Sequence, residues 1–371
     1  MTLQSLEVSA LSIPFKGSFK HASADRHAMQ SLWVRAQAAS GETGYGEGCP
    51  REYVTAESMS TALAFVECHR TEWLPTLSDV QSLEQWVSAH RAEIDAHPAA
   101  WTAVELALLD LYGKTQHRSI ESLLGLPELD GRFRYTAVIG DGPPQQFSAQ
   151  LQQFLKAGFK SFKIKLAADA QANLSKVRAL AEAGIAGAAV RADANNLWHD
   201  AKTCVTDLAS LRFPFMAIEE PLQPGDFEGL TAVASALNTR IILDESVTRS
   251  SHLDLIPRAA ERWIINCRVS KMGGLLRSLE LLKIARSRGI AIIMGAHVGE
   301  TSVLTRTALT VARAAGNTLI AQEGAFGTHL LTRDVAEPPL MFGAGGVIDI
   351  AQTYLAGRPG LGLNILDQVG S

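Results

Sequence analysis

The sequence predicts an α/β fold, a closed barrel of β/α units preceded by an α+β region, and three observations carry that expectation. From about residue 132, short apolar segments alternate with helical patterns, which is the signature of a parallel sheet. Before that point the texture differs, with polar and apolar residues alternating near the start and helical periods following. Charged residues also recur near the ends of the later apolar segments, at a spacing close to 26.

Taken in order, segments 6–13 and 31–36, with turn signals at Ser40-Gly41 and 44–48, read as an antiparallel meander. Helices follow at 56–70, 80–97 and 99–113, the last strongly amphipathic, with apolar residues at i, i+3, i+4 and i+7. Strands are then read at 135–138, 161–166, 189–193, 216–219, 240–243, 263–269, 291–294 and 319–322. The helices between them fall at 145–157, 172–184, 201–211, 227–237, 250–260, 275–289 and 301–316. Gly158, Gly184, Gly289 and Gly316 sit where helix-to-strand loops need a left-handed residue. Eight strands and seven helices approach the (β/α)8 barrel. An open doubly wound sheet uses the same alternation, but its Gly-x-Gly-x-x-Gly phosphate fingerprint is absent from 137–144.

Composition bounds the function. The 371 residues are 47% hydrophobic and 19% charged, so a large core is expected and disorder is not. With 34 basic against 38 acidic side chains, a net charge of -4 and no basic run, nucleic acid and membrane are poor partners. Cys49, Cys68, Cys204 and Cys267 show no ligand or redox spacing, which suits a reducing compartment. Residues 1–14 lack the charged start of a secretory signal, and no apolar stretch has the length of a membrane span. A soluble, cytoplasmic protein is expected.

Lys165, Asp193, Glu219, Asp244, Lys271, His297 and Glu323 follow one another at 28, 26, 25, 27, 26 and 26 residues, each at or just past a strand end. In a closed barrel that spacing turns all seven toward one mouth. Asp193, Glu219 and Asp244 offer oxygen-only ligands suited to a hard cation such as Mg2+. Three helix N-caps would explain the aspartates separately, although Glu is the poorer cap. Lys163 and Lys165 stand two apart on one side of a strand, so repulsion and burial should lower at least one pKa and provide a base. Lys271, from across the barrel, offers a second acid/base on the opposite face of a ligand. A salt bridge to a neighbouring carboxylate is the plainer use of each lysine. His297 and Glu323 are weaker signals, Glu300 suits a helix start, and Trp198 and Trp263 suit packing. Gly273-Gly274 opens a helix whose N-terminus could receive an anion.

A metal flanked by lysines specifies proton removal α to a carboxylate, because the developing ene-diolate charge is neutralised where it forms. The ordered set Lys163-Ile164-Lys165, Asp193-Ala194-Asn195 with Trp198, Glu219-Glu220-Pro221, Asp244-Glu245-Ser246 and Lys271-Met272-Gly273-Gly274 resembles the enolase superfamily. Within it the chain is similar to the muconate lactonizing enzyme subgroup of the mandelate racemase/muconate lactonizing enzyme family. Gly46-Glu47-Gly48 extends the resemblance into the N-terminal region, so that it covers nearly the whole chain. The superfamily uses a Lys or His base with Mg2+.

The resemblance implies a (β/α)7β modified TIM barrel over residues 131–340. It also implies an α+β capping domain from residues 1–130, completed by 341–371. It assigns Lys165 and Lys271 as the acid/base pair and Lys163 as electrostatic support. Asp193, Glu219 and Asp244 would be Mg2+ ligands, with Glu220 and Glu245 behind them. Asn195, His297, Glu323, Arg26 and Tyr53 are candidates for the substrate, with His21 and Arg51 on the same capping loops at 18–26 and 49–55. The expected reaction is racemisation or epimerisation of an amino acid derivative, N-acylated or dipeptide-like, in a homo-oligomer such as a dimer or octamer. Cycloisomerisation and syn β-elimination of the dehydratase or o-succinylbenzoate synthase type are alternatives. Dipeptide epimerases of the subgroup carry Asp-x-Asp at the eighth strand, where this chain has Gln322-Glu323-Gly324. From other classes, a Schiff-base lysine aldolase and a non-catalytic metal-stabilised binding protein are rivals.

Overall fold

The computed structural model describes residues 1–21 and 24–366, and for 18–21 and 24–26 the backbone alone. β1 (Leu3–His21), β2 (Ala24–Ala38) and β3 (Thr43–Gly48) form the expected antiparallel meander, in that order. Leu11 and Ile13 on β1, with Leu32, Val34 and Ala36 on β2, are buried at the strand period of two and make the covered face. Six helices follow: α1 (Glu52–Thr55), α2 (Met59–Thr76), α3 (Val80–Ala89), α4 (Arg91–Ala96), α5 (Pro98–Thr115) and α6 (Ile120–Leu124). The helix expected at 80–97 is broken at His90 into α3 and α4.

α5 corrects the amphipathic expectation. Every residue from 98 to 113 is buried, because β3 covers one side of the helix and barrel elements cover another. A helix enclosed on all sides carries no polar face. Gly46 and Gly48 allow this close packing, since a Cβ on either would lie 1.9 Å from the carbonyl oxygen of Ala103 or Ala99 on α5.

After β4 (Arg132–Arg134) comes the parallel sheet of eight strands: β5 (Ala137–Ile139), β6 (Phe162–Lys165), β7 (Val190–Asp193), β8 (Ala217–Glu219), β9 (Arg240–Leu243), β10 (Trp263–Cys267), β11 (Ala291–Met294) and β12 (Leu319–Gln322). They neighbour one another in sequence order, and Thr136 N–H donates to Gln322 O at 2.8 Å, joining the first strand to the last. The crossovers carry α7 (Pro144–Lys156), α8 (Ala170–Glu182), α9 (Ala201–Ser210), α10 (Phe227–Leu237), then α11 (Val269–Met272) with α12 (Leu275–Ser287), and α13 (Ser302–Ala315). The α-helix expected at 250–260 is instead a short 3-10 segment, Ser250–Leu255. Pro257 removes a donor and restricts Ile256, so the turn stops there. Gly158, Gly184, Gly289 and Gly316 have φ of 87°, 71°, 70° and 52°, as their loop positions require. The chain thus forms a (β/α)7β barrel.

Ala217, Ile242, Ile264 and Ile293 make a small buried cluster inside the barrel, with Ala321 packed against it. The strand period fixes what stands above them, because residues two apart share a face. Glu219, Asp244, Asn266 and Glu323 form the next layer. β13 (Val347–Asp349) returns to pair with β4, and Leu361 N–H donates to Asp110 Oδ1 on α5 at 2.8 Å. Among the described residues no helix is long and apolar enough to cross a membrane.

Candidate active site

Lys163 and Lys165 occupy the last turn of the β6 pleat, and register places them beside Arg191 and Asp193 of β7. Asp193 in turn lies beside Glu219 of β8. Lys163 Nζ lies 2.7 Å from Glu219 Oε2 and 3.2 Å from both Asp193 Oδ2 and Glu323 Oε2. Arg268, just past β10, contacts Asp244 Oδ2 and reaches Glu219 Oε1 at 4.0 Å. The three candidate ligands are therefore bridged pairwise by cations, Lys163 between Asp193 and Glu219 and Arg268 between Glu219 and Asp244.

This network separates the two lysines of β6. Burial alone would lower Lys163, but Asp193, Glu219 and Glu323 around it hold its pKa above the ordinary lysine value. Lys165 is lowered, chiefly by burial with Lys163 adding repulsion, against the pull of Asp193. Its Nζ donates to Asn195 Oδ1 at 2.9 Å. Of the two, Lys165 gives up its proton more readily and Lys163 holds its own more firmly. Asp193 stays below its ordinary value despite burial because both lysines face it. Glu219 is pushed up by burial, with Asp193 and Glu323 repelling it.

The donor set fits Mg2+ by its chemistry. Asp193, Glu219 and Asp244 supply only hard oxygens, from three successive strand ends, and Glu219 Oε2 is buried against the Lys163 ammonium at 2.7 Å. Lys163 and Arg268 stand between the carboxylates, and among the described residues no three His, Cys, Asp or Glu side chains stand in ligating geometry. To take up the ion, Arg268 and Lys163 would withdraw from those oxygens.

Glu220 positions Asp244. Its Oε1 accepts from the N–H of Asp244 at 2.6 Å and of Ser246 at 2.8 Å, and its Oε2 accepts from Ser246 Oγ. Glu245 is half-buried, and burial with the nearby Glu220 and Asp193 pushes its carboxyl up to about 8. Lys271 departs from the expected arrangement. It lies in α11 behind Asp244, 0% exposed, and its three protons go to Asp244 O (2.8 Å), Asp244 Oδ1 (2.8 Å) and Asn266 O (2.7 Å). Burial and the neighbouring Arg268 pull it down to about 7, but those three acceptors require three protons on Nζ, which is the ammonium.

Glu323 is engaged within the barrel by Lys163 and by Arg191, each at 3.2 Å. His297 is buried, with Nδ1 3.4 Å from Arg268 Nη1 and its backbone N–H donating to Glu300 Oε1. Tyr53 stands on α1, 38% exposed, while its neighbour Arg51 is buried and donates to Val298 O beyond β11. The side chains of His21 and Arg26 lie outside the described residues. Arg268, Asn266 and Arg191 were missed in the sequence. Strand parity counted from the apolar residues would have found all three. The anion expected at Gly273-Gly274 is internal, for Glu105 Oε1 accepts from Leu276 N–H at the start of α12.

A parallel barrel with a carboxylate triad, a depressed lysine and an α+β cap defines an enzyme of the enolase type. Residues 146–369 match the family described as enolase C-terminal domain-like, and the chain belongs to that family. It is 28% identical over 371 residues to an L-Lys-D/L-Arg epimerase of Methylococcus capsulatus, covering 98% of this chain and 99% of that one. A hydrophobic dipeptide epimerase of Enterococcus faecalis is 27% identical over 324 residues, 85% of this chain and 88% of the relative. The crystal structure of the dipeptide epimerase from Enterococcus faecalis, complexed with Mg and the dipeptide L-Leu-L-Tyr, superposes with a TM-score of 0.82 at 25% identity. It covers 98% of this chain and 100% of that one. Dipeptide epimerases therefore stand among the relatives of a chain that carries Gln322-Glu323-Gly324 at its eighth strand.

Proposed function

We propose that the protein catalyses proton transfer at the carbon α to a carboxylate, in the racemisation or epimerisation of an amino acid derivative. The supporting observation is Lys165, a buried lysine of lowered pKa at a strand end, set beside Asp193 and steadied by Asn195. Mg2+ held by Asp193, Glu219 and Asp244 would supply Lewis acidity toward the substrate carboxylate. The amine of Lys165 takes the α proton as the C–H bond breaks, and the electron pair moves toward the carboxylate. Lys163 contributes fixed positive charge where the negative charge grows. The relatives that act on dipeptides and N-succinyl amino acids support an amino acid derivative as substrate. A cytoplasmic setting is proposed on the four free cysteines.

A second reading, syn β-elimination, is favoured by the commitment of Lys271, since that reaction needs a base on one face only. The test is incubation with Mg2+ and a library of amino acid derivatives in deuterated water, followed by NMR. Exchange of the α hydrogen that is lost in Lys165→Met supports the reading. Absence of exchange from every acid sinks it.

A further inference from the structure

We propose that Arg268, not Lys271, is the sixth-strand group that meets the substrate, and that proton transfer is therefore confined to the Lys165 face. Ile264 belongs to the cluster inside the barrel, and Asn266 two residues on donates from Nδ2 to Glu219 Oε1 at 3.0 Å. Arg268 keeps the extended backbone, with φ -115° and ψ 124°, so it is the next inward residue. Its side chain is 13% exposed, it contacts Asp244 and its Nη1 lies 3.4 Å from His297 Nδ1. Its Nε is buried and donates to nothing among the described residues. Lys271 is three residues further, inside the turn of α11, with every proton bonded.

β10 is four strands round from β6 in a sheet of eight, so Arg268 stands opposite Lys165. An arginine side chain keeps its proton throughout the pH range of folded proteins, so it serves as a fixed cation and not as a base. Its fork of donors matches a carboxylate or acyl oxygen. The α proton leaves to the Lys165 amine and returns from the resulting ammonium after exchange with solvent. The C–H bond then re-forms on the side from which it broke.

This inference rests on the α-proton reading above and narrows it, because return of the proton on one face keeps the configuration and leaves exchange with retention or syn β-elimination in place of inversion; two measurements separate their failures. In deuterated water with saturating Mg2+, the probes are N-succinyl-L-arginine, N-succinyl-D-arginine, L-Ala-L-Glu and L-Ala-D-Glu. One configuration is expected to exchange its α hydrogen at least tenfold faster than it inverts. Arg268→Lys, which installs a base on the opposite face, narrows that ratio at least tenfold. Equal exchange of both configurations, with Lys271→Met silencing one of them at an unchanged melting temperature, overturns the proposal and leaves the reaction class standing. Exchange of no probe counts against the reaction class. The contact is then judged by calorimetry with succinate on the Mg2+-loaded protein. Arg268→Met is expected to weaken binding at least tenfold, and an unchanged Kd overturns the contact.

Discussion

At the barrel mouth Asp193, Glu219, Asp244 and Glu323 face Lys163, Arg268, Lys271 and Arg191, whereas in the cap and along its seam Glu47, Glu57 and Glu105 face backbone N–H groups and hydroxyls. Glu47 accepts from Thr301 N–H and Oγ at the start of α13 and from Ser31. Glu57 accepts from the N–H of Ala99 and Ala100 at the start of α5, and Glu105 from Leu276 at the start of α12. Helix dipoles favour the anion at each place, yet burial pushes all three carboxyls up to about 7. Formal charges keep Asp193 and Glu323 low, and neutral donors do not achieve this for the seam. One region sets formal charge against formal charge, and the other sets carboxylates against helix starts, within the cap at Glu57 and between cap and barrel at Glu47 and Glu105.

The largest effect belongs to the mouth. Lys165→Met is expected to reduce α-hydrogen exchange by about 10^2 to 10^4, the usual contribution of a positioned acid/base group, with the fold intact by circular dichroism. A loss below tenfold would place the base elsewhere.

Removing the fixed charge beside it tests stability instead. Lys163→Met leaves Asp193, Glu219 and Glu323 without their shared cation, and breaking a buried pair costs about 3–5 kcal/mol. Urea unfolding with a chelator should show that loss, and Mg2+ should restore more stability to the variant than to wild type. Equal responses to Mg2+ would mean that the ion binds away from these carboxylates.

The seam responds to pH in the opposite sense from a salt bridge. Glu105 has a folded pKa of about 7 against 4.5 for the free group, so between those values the folded state binds more protons. Stability from this group is then fully present below pH 4.5 and falls as pH rises to about 7. A shift of this size corresponds to about 3 kcal/mol at most. The stability of wild type over Glu105→Gln, measured by urea unfolding at pH 5 and pH 7.5, should shrink at the higher pH. A difference that grows would show that the helix N-terminus holds the anion at full strength.

The contrast also explains what was legible in the sequence. Barrel strands carry their own period, so the placing of Lys165, Asp193, Glu219 and Asp244 at neighbouring strand ends could be read from spacing along one chain. The 27-residue step to Lys271 keeps the period but runs past the strand into α11, whereas Arg268 keeps the extended backbone and the strand parity. The burial of α5 on every side was hidden, since it depends on Gly46 and Gly48 letting a distant sheet lie directly on the helix. The seam carboxylates were unreadable for a similar reason. Glu47 and Thr301 are 254 residues apart, and no local pattern announces a cap supplied from another domain.

The smallest effect sharpens the same point. Arg91 on α4 and Glu280 on α12 also link cap to barrel, with Nη2 2.5 Å from Oε1, but both side chains are substantially exposed. Water already solvates these charges, and fixing two long side chains costs entropy, so the pair contributes about 0–1 kcal/mol and is screened by salt. A double-mutant cycle with Arg91→Ala and Glu280→Ala should give a coupling in that range, smaller at 1 M NaCl than at low salt. A coupling well above 1 kcal/mol that persists in salt would shift the joining role from the buried carboxylates to the surface. In that case Glu47→Gln and Glu105→Gln would cost less than the loss of this exposed bridge. The burial of their acceptors makes the reverse order the expected one.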